Sequence, residues 1–153
     1  MGNLSDWWKK YWIICAFAGI KIILHVSTNT NFGLQRDAYL YLAQAQDLSW
    51  GYFSTPPLIA FVTRLHTMVW GDALWAVRLL PTFIGTLIMV LTGWLITNLK
   101  GGKLAQIIGL TPFLLSPAFL RPSFLLQPVV FNHLFWLLTA IAIYLLIKKQ
   151  RSE

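Results

Sequence analysis

Charge is scarce in this chain. Only 11% of its 153 residues are charged, whereas soluble domains carry roughly 25%, and that shortfall excludes an ordinary soluble domain. A single cysteine, Cys15, excludes an internal disulfide and a cysteine-based metal site. It lies inside an apolar run and reads as packing. No His or acid grouping has ligand spacing, so no divalent metal and no cofactor is expected. Neither an internal repeat nor a low-complexity linker divides the chain, which reads as one membrane domain over 1–153. No small-x-small cleavage site closes the run that follows Lys9-Lys10, and Lys21 interrupts it, so the N-terminus reads as an uncleaved signal-anchor helix. MGNLSD misses the myristoylation pattern because Asp6 stands where Ser or Thr is needed. The sequon at Asn3 precedes the first span on the expected cytoplasmic side and is discounted.

Apolar surface is abundant instead. Hydrophobic residues make up 57% of the chain and include eight Trp and ten Phe, which suit interfacial belts. The net charge of +7 arises from short basic clusters between apolar runs. That pattern fits topology signals and anionic lipid rather than nucleic acid.

A spanning helix needs about 20 mostly apolar residues, with about 17 as the lower limit. Four stretches qualify: 11–27, 75–97, 104–120 and 129–147. The stretch 56–70 is apolar but short, and it carries Arg64 and His66. With four spans and the N-terminus inside, Lys9, Lys10, Lys100, Lys103, Lys148, Lys149 and Arg151 fall in the cytoplasm. A fifth span would move the last five outside, so the positive-inside rule favours four spans and two cytoplasmic termini. Residues 30–74 then form one external connection. Within it, Leu34, Ala38, Tyr41 or Leu42, Ala45 and Leu48 recur at helical spacing. This predicts an amphipathic interfacial helix over 34–49. Pro56-Pro57 suits a helix start, so a second interfacial helix is predicted over 57–70, and GYFSTPP is the elbow between the two. Gly101-Gly102 makes a cytoplasmic turn, and Pro112 and Pro117 are expected to kink the third span.

Asp37 is the sharpest candidate for chemistry. A carboxylate at the start of an external helix can deprotonate an acceptor hydroxyl or amine. The bland reading is an acid favoured by the helix dipole. Lys21 and His25 share one face of the first span. A charge at mid-bilayer costs about 2.5–3.5 kcal/mol on insertion scales, so Lys21 either faces the bundle or snorkels. Ser54 and Thr55 read as turn-bonding hydroxyls. Tyr52 and Phe53 read as interfacial anchors, and Arg64 and His66 as facing headgroups.

The stretch RDAYLYLAQAQDLSWGYFSTPPLIA resembles the first external loop of GT-C glycosyltransferases. The similar branch includes protein O-mannosyltransferases and the aminoarabinose transferase of lipid A. The resemblance rests on Asp37, Tyr39 and Tyr41, then Gly51-Tyr52, Pro56-Pro57-Leu58, Trp70-Gly71 and Arg78-Leu79-Leu80-Pro81. It extends from the first span to residue 147. It implies an all-α GT-C-like membrane fold and an enzyme that moves a sugar from a polyprenyl-phosphate carrier to an acceptor on the outer face, with inversion. It implies that Asp37 is the catalytic acid position and that basic side chains hold the leaving phosphate. Arg78, Lys21, His25 and Arg121, with Tyr52, are the candidates for substrate and phosphate binding. Gly51, Pro56 and Pro57 are motif residues that hold the Asp37 helix at the surface. Two positions depart from the pattern. Ala38 stands where the family carries an acid after the loop aspartate, so a metal-binding acid pair is absent. Asn132 stands where related sequences carry Asp, and an amide is no base.

Members of such families run longer, so the resemblance implies either a missing C-terminal region or a partner subunit that completes the carrier cavity. The expected partners are the polyprenyl-phosphate sugar and membrane lipid, in a bacterial inner membrane. The competing reading is a non-catalytic or degenerate membrane protein, serving as an assembly partner or a small transporter.

Overall fold

The computed structural model describes residues 4–151. The myristoylation and sequon positions Gly2 and Asn3 lie outside the described residues. Those described form an all-helical bundle with helices α1 (Leu4–Thr28), α2 (Arg36–Gln46), α3 (Pro57–Trp70), α4 (Leu74–Asn98), α5 (Lys103–Leu110), α6 (Pro112–Leu115), α7 (Pro117–Leu120) and α8 (Pro128–Gln150). Three of them are long and apolar enough to cross a membrane: α1 from Asp6, α4 and α8. At 1.5 Å per residue, the 25 residues of α4 reach about 37 Å, more than a ~30 Å hydrocarbon core. The chain is an integral membrane protein.

The third apolar stretch is broken rather than continuous. Lys103–Leu115 forms an apolar helical segment of about 20 Å. Pro112 has no N–H to bond the carbonyl one turn back, and Pro117 pushes Ser116 out of the helical region, to φ −88° and ψ 128°. The Ser116 side chain accepts from the Ala118 amide and starts α7 as a separate turn.

Helix α4 is the centre of the bundle. It packs against α1, α3, α5 and α8. Its buried face is built from small and hydroxyl residues, including Ala76, Thr82, Gly85, Thr86 and Gly93. Small residues let membrane helices approach closely. A side chain at Gly93 would meet Ile14 of α1 at 2.7 Å, and one at Gly85 would meet Ser123 Oγ at 2.1 Å. The core around this helix joins Ile13, Ile14, Val77, Ile88, Met89, Leu110, Phe113 and Val130.

Helix α2 turns its Ala38, Tyr41 and Ala45 stripe inward and packs on α3. The stripe seen in the sequence is thus covered by protein, because α3 offers Ile59, Ala60 and Thr63 to meet it. Both helices keep apolar side chains in the open, among them Tyr39, Leu40, Phe61, Met68 and Val69.

Candidate functional site

Asp37 occupies the first turn of α2, with its side chain about one-third exposed. Gln127, the residue before α8, spans the gap to it. Gln127 Nε2 donates to Asp37 Oδ2 at 3.1 Å and to Gln35 Oε1 at 3.1 Å. The two hydrogens of one amide thereby tie the start of α2 to the start of α8. Arg36 Nε lies 3.5 Å from Asp37 Oδ1, but the Arg36 side chain is almost fully solvated. Such a pair contributes little. A carboxylate has about four lone-pair directions, so these contacts leave it with accepting capacity. One turn on, burial and then the nearby Asp37 charge push the Tyr41 phenol above its ordinary value. It is a neutral hydroxyl at neutral pH.

A groove of about 370 Å³ opens between the first turns of α3 and α8, walled by Pro56, Leu58, Ile59, Pro128, Val129, Phe131, Asn132 and Phe135. Gln127 directly precedes that wall. Asn132 is exposed on it, on the first turns of the helix that Gln127 joins to Asp37.

The elbow is held by hydroxyls. Tyr52 Oη accepts from the Ser49 amide at 3.0 Å and is directed at the carbonyls of Gln44 and Asp47, both at 2.9 Å. These are carbonyls that the end of α2 leaves without helical partners. Thr55 Oγ1 donates to Gln44 Oε1 at 2.8 Å, a contact across 11 residues rather than within the turn. Pro56 is the N-cap of α3, with Pro57 at its first helical position, and Gly51 has open space around it. Phe53 and Trp50 are fully exposed.

Three of the basic candidates, Lys21, His25 and Arg78, are already engaged. Arg78 is buried at the start of α4. Its guanidinium donates to the carbonyls of Asn29, Phe32 and Gly33 and lies 4.1 Å above the Phe124 ring. In return, Asn29 Nδ2 donates to the Trp75 carbonyl at 3.0 Å. This reciprocal clamp closes the end of α1 on the start of α4. Lys21 is completely buried; its Nζ donates to the Phe113 carbonyl at 3.2 Å and lies 3.4 Å from His25 Nε2. The reason is local chemistry. The Phe113 carbonyl would ordinarily bond the amide four residues on, but residue 117 is proline and has none. Lys21 satisfies the acceptor that Pro117 orphaned. His25 stacks on Phe124 at 6.2 Å between centroids.

Arg121 is exposed at the end of α7, and its side chain has no partner among the described residues. On α3, His66 Nε2 lies 2.7 Å from the Ala76 carbonyl and pins that helix to α4. His133 lies beside Phe119 at 6.1 Å. Among the described residues no group of three His, Cys, Asp or Glu is placed to hold a metal ion. Sequence reasoning gave no role to Gln127 or Phe124, and their only signal was position in the turn that leads into α8.

These elements define an all-helical membrane protein with an acid in the first turn of a short helix. Residues 54–153 match the family described as dolichyl-phosphate-mannose-protein mannosyltransferase. The chain belongs to that family and so to the GT-C membrane glycosyltransferases. The match begins at the elbow, so Asp37 and the basic pair of the first span lie before it. No curated protein and no solved structure matches the chain.

Proposed function

We propose that this chain is a membrane glycosyltransferase, or the N-terminal part of one, that transfers a sugar from a polyprenyl-phosphate-linked donor to an acceptor at the outer face. In this reading the Asp37 carboxylate takes the acceptor proton. The acceptor oxygen forms the bond to the anomeric carbon from the face opposite the phosphate. The bond between that carbon and the phosphate oxygen breaks, its electrons leave with the carrier, and the configuration inverts. The observation that carries the proposal is Asp37 itself: a partly exposed carboxylate, held at one oxygen by Gln127, the residue that directly precedes the α8 wall of the groove. Of the basic residues proposed for phosphate binding, Arg121 is the one whose side chain has no partner among the described residues, and its guanidinium can meet the leaving phosphate bidentately. Lys21, His25, Arg78 and Tyr52 reach a substrate only by exchanging their present contacts.

The proposed membrane arrangement has α1, α4, the broken α5–α7 segment and α8 crossing, with both termini cytoplasmic. The helices α2 and α3 then lie at the outer interface, and the membrane is a bacterial inner membrane. Asp37→Asn tests the chemistry. Loss of sugar transfer from labelled polyprenyl-phosphate donor, at normal membrane levels of the protein, supports it; unchanged transfer refutes it. A second reading, a non-catalytic assembly partner, draws on two observations: Asn132 supplies an amide on the groove wall, and Arg78 is committed to three carbonyls. Co-purification of a second membrane subunit, together with normal transfer by Asp37→Asn, is the result that favours it.

A further inference from the structure

The C-terminal turns of α2 and α3 enclose a polar cleft of about 300 Å³ at the end of α2 remote from Asp37. Leu42, Gln46, Arg64, Thr67, Met68 and Asp72 line it. Arg64 is half-buried, and neither its guanidinium nor the Asp72 carboxylate has a partner among the described residues. Opposite charges on one cleft ordinarily close on each other, yet no ion pair joins them. Asp72 follows a glycine turn that ends α3. Gly71 takes φ 77° and ψ −173°, and its amide bonds the Thr67 carbonyl at 2.9 Å. A side chain at Gly71 is strained in that conformation, so the turn depends on glycine. The helix that forms one wall leaves Met68, Val69 and Trp70 exposed, at 69%, 75% and 50%. Exposed apolar and aromatic side chains of that kind suit a bilayer interface.

We infer that this cleft binds the headgroup of a membrane phospholipid that carries a phosphate and a primary ammonium, with the phosphate on Arg64 and the ammonium on Asp72. Gln46 and the Thr67 hydroxyl are the neutral groups available to the phosphate oxygens. Charge selects this headgroup class. A purely anionic headgroup leaves Asp72 facing a like charge. A quaternary ammonium donates no hydrogen bond to a carboxylate, and no aromatic ring lines the cleft to receive it. The site is independent of the glycosyltransferase reading, because it uses neither Asp37 nor the groove beside Gln127.

The experiment is native mass spectrometry of the full-length protein in detergent, with phosphatidylethanolamine, phosphatidylcholine and phosphatidylglycerol of identical acyl chains as probes. The expected result is retention of phosphatidylethanolamine about fivefold over the other two, the size of one exposed charge contact. Arg64→Gln should reduce retention of all three phospholipids, and Asp72→Asn should erase the preference for ethanolamine over choline. Both side chains lack partners among the described residues, so the variants are expected to elute as the parent does. Equal retention of the three lipids by the parent, or a preference that survives both substitutions, overturns the site. Displacement of the lipid by soluble phosphoethanolamine at equal concentration overturns its assignment to the bilayer.

Discussion

Two polar regions of this molecule differ in how completely their groups are satisfied. On the bundle side, Lys21 and Arg78 are buried and donate to backbone carbonyls of distant segments. On the rim, Asp37 is partly exposed and held by one amide, with a solvated arginine beside it. Burial makes an unmet hydrogen bond costly, so buried cations find partners and keep them. A half-exposed carboxylate keeps spare lone pairs. The contrast separates residues that hold the architecture from the one that has capacity left for a substrate.

Arg78→Met should produce the largest effect on the protein itself. It strands the carbonyls of Asn29, Phe32 and Gly33 and removes the cation from Phe124. Each buried carbonyl left without its donor costs about 1–3 kcal/mol. Thermal unfolding in detergent and membrane levels should both fall sharply, and Arg78→Lys should not rescue them, because an ammonium lacks the planar fork. Near-normal stability of Arg78→Met would remove the distinction between the two regions.

Asp37→Asn should leave the melting temperature almost unchanged while transfer falls about 10²- to 10⁴-fold, the range for a lost general base. A matching drop in stability would place Asp37 with the structural group instead. Lys21→Met comes next. It leaves the Phe113 carbonyl unsatisfied, a loss of about 1–3 kcal/mol. Restoring an amide by Pro117→Ala in the Lys21→Met background should recover part of that loss, measured as a double-mutant cycle in thermal unfolding. Gln127→Ala is the smallest change, about 0.5–1.5 kcal/mol in stability for a hydrogen bond. Its sharper readout is transfer, which should fall as the Asp37 carboxylate loses the amide that positions it.

Much of the helical plan was legible because it is written locally. Long apolar runs announce α1, α4 and α8, and Pro56-Pro57 announces the start of α3. The third apolar stretch shows the limit of that signal. Hydropathy over 104–120 reads as one span, but the helical segment Lys103–Leu115 stops at Ser116, before Pro117 starts a separate turn. The prolines were visible beforehand, and the extent of the break was not, since a kink and a break differ only in what satisfies the freed carbonyls. The candidate site was half legible. Asp37 stood out as an acid at the head of an amphipathic helix. Gln127, its partner, lies 90 residues away in sequence and carries no local mark of that role.

The sequence by itself determined that this is a helical membrane protein of the mannosyltransferase family, because periodicity, hydropathy and motif order are properties of neighbouring residues. Tertiary structure alone decided how the polar side chains are used. Lys21 meets a carbonyl 92 residues on, and Arg78 meets carbonyls 45 to 49 residues back. Whether a charge is spent on the backbone or left for a ligand depends on which helices close around it, and that is fixed only when the bundle packs.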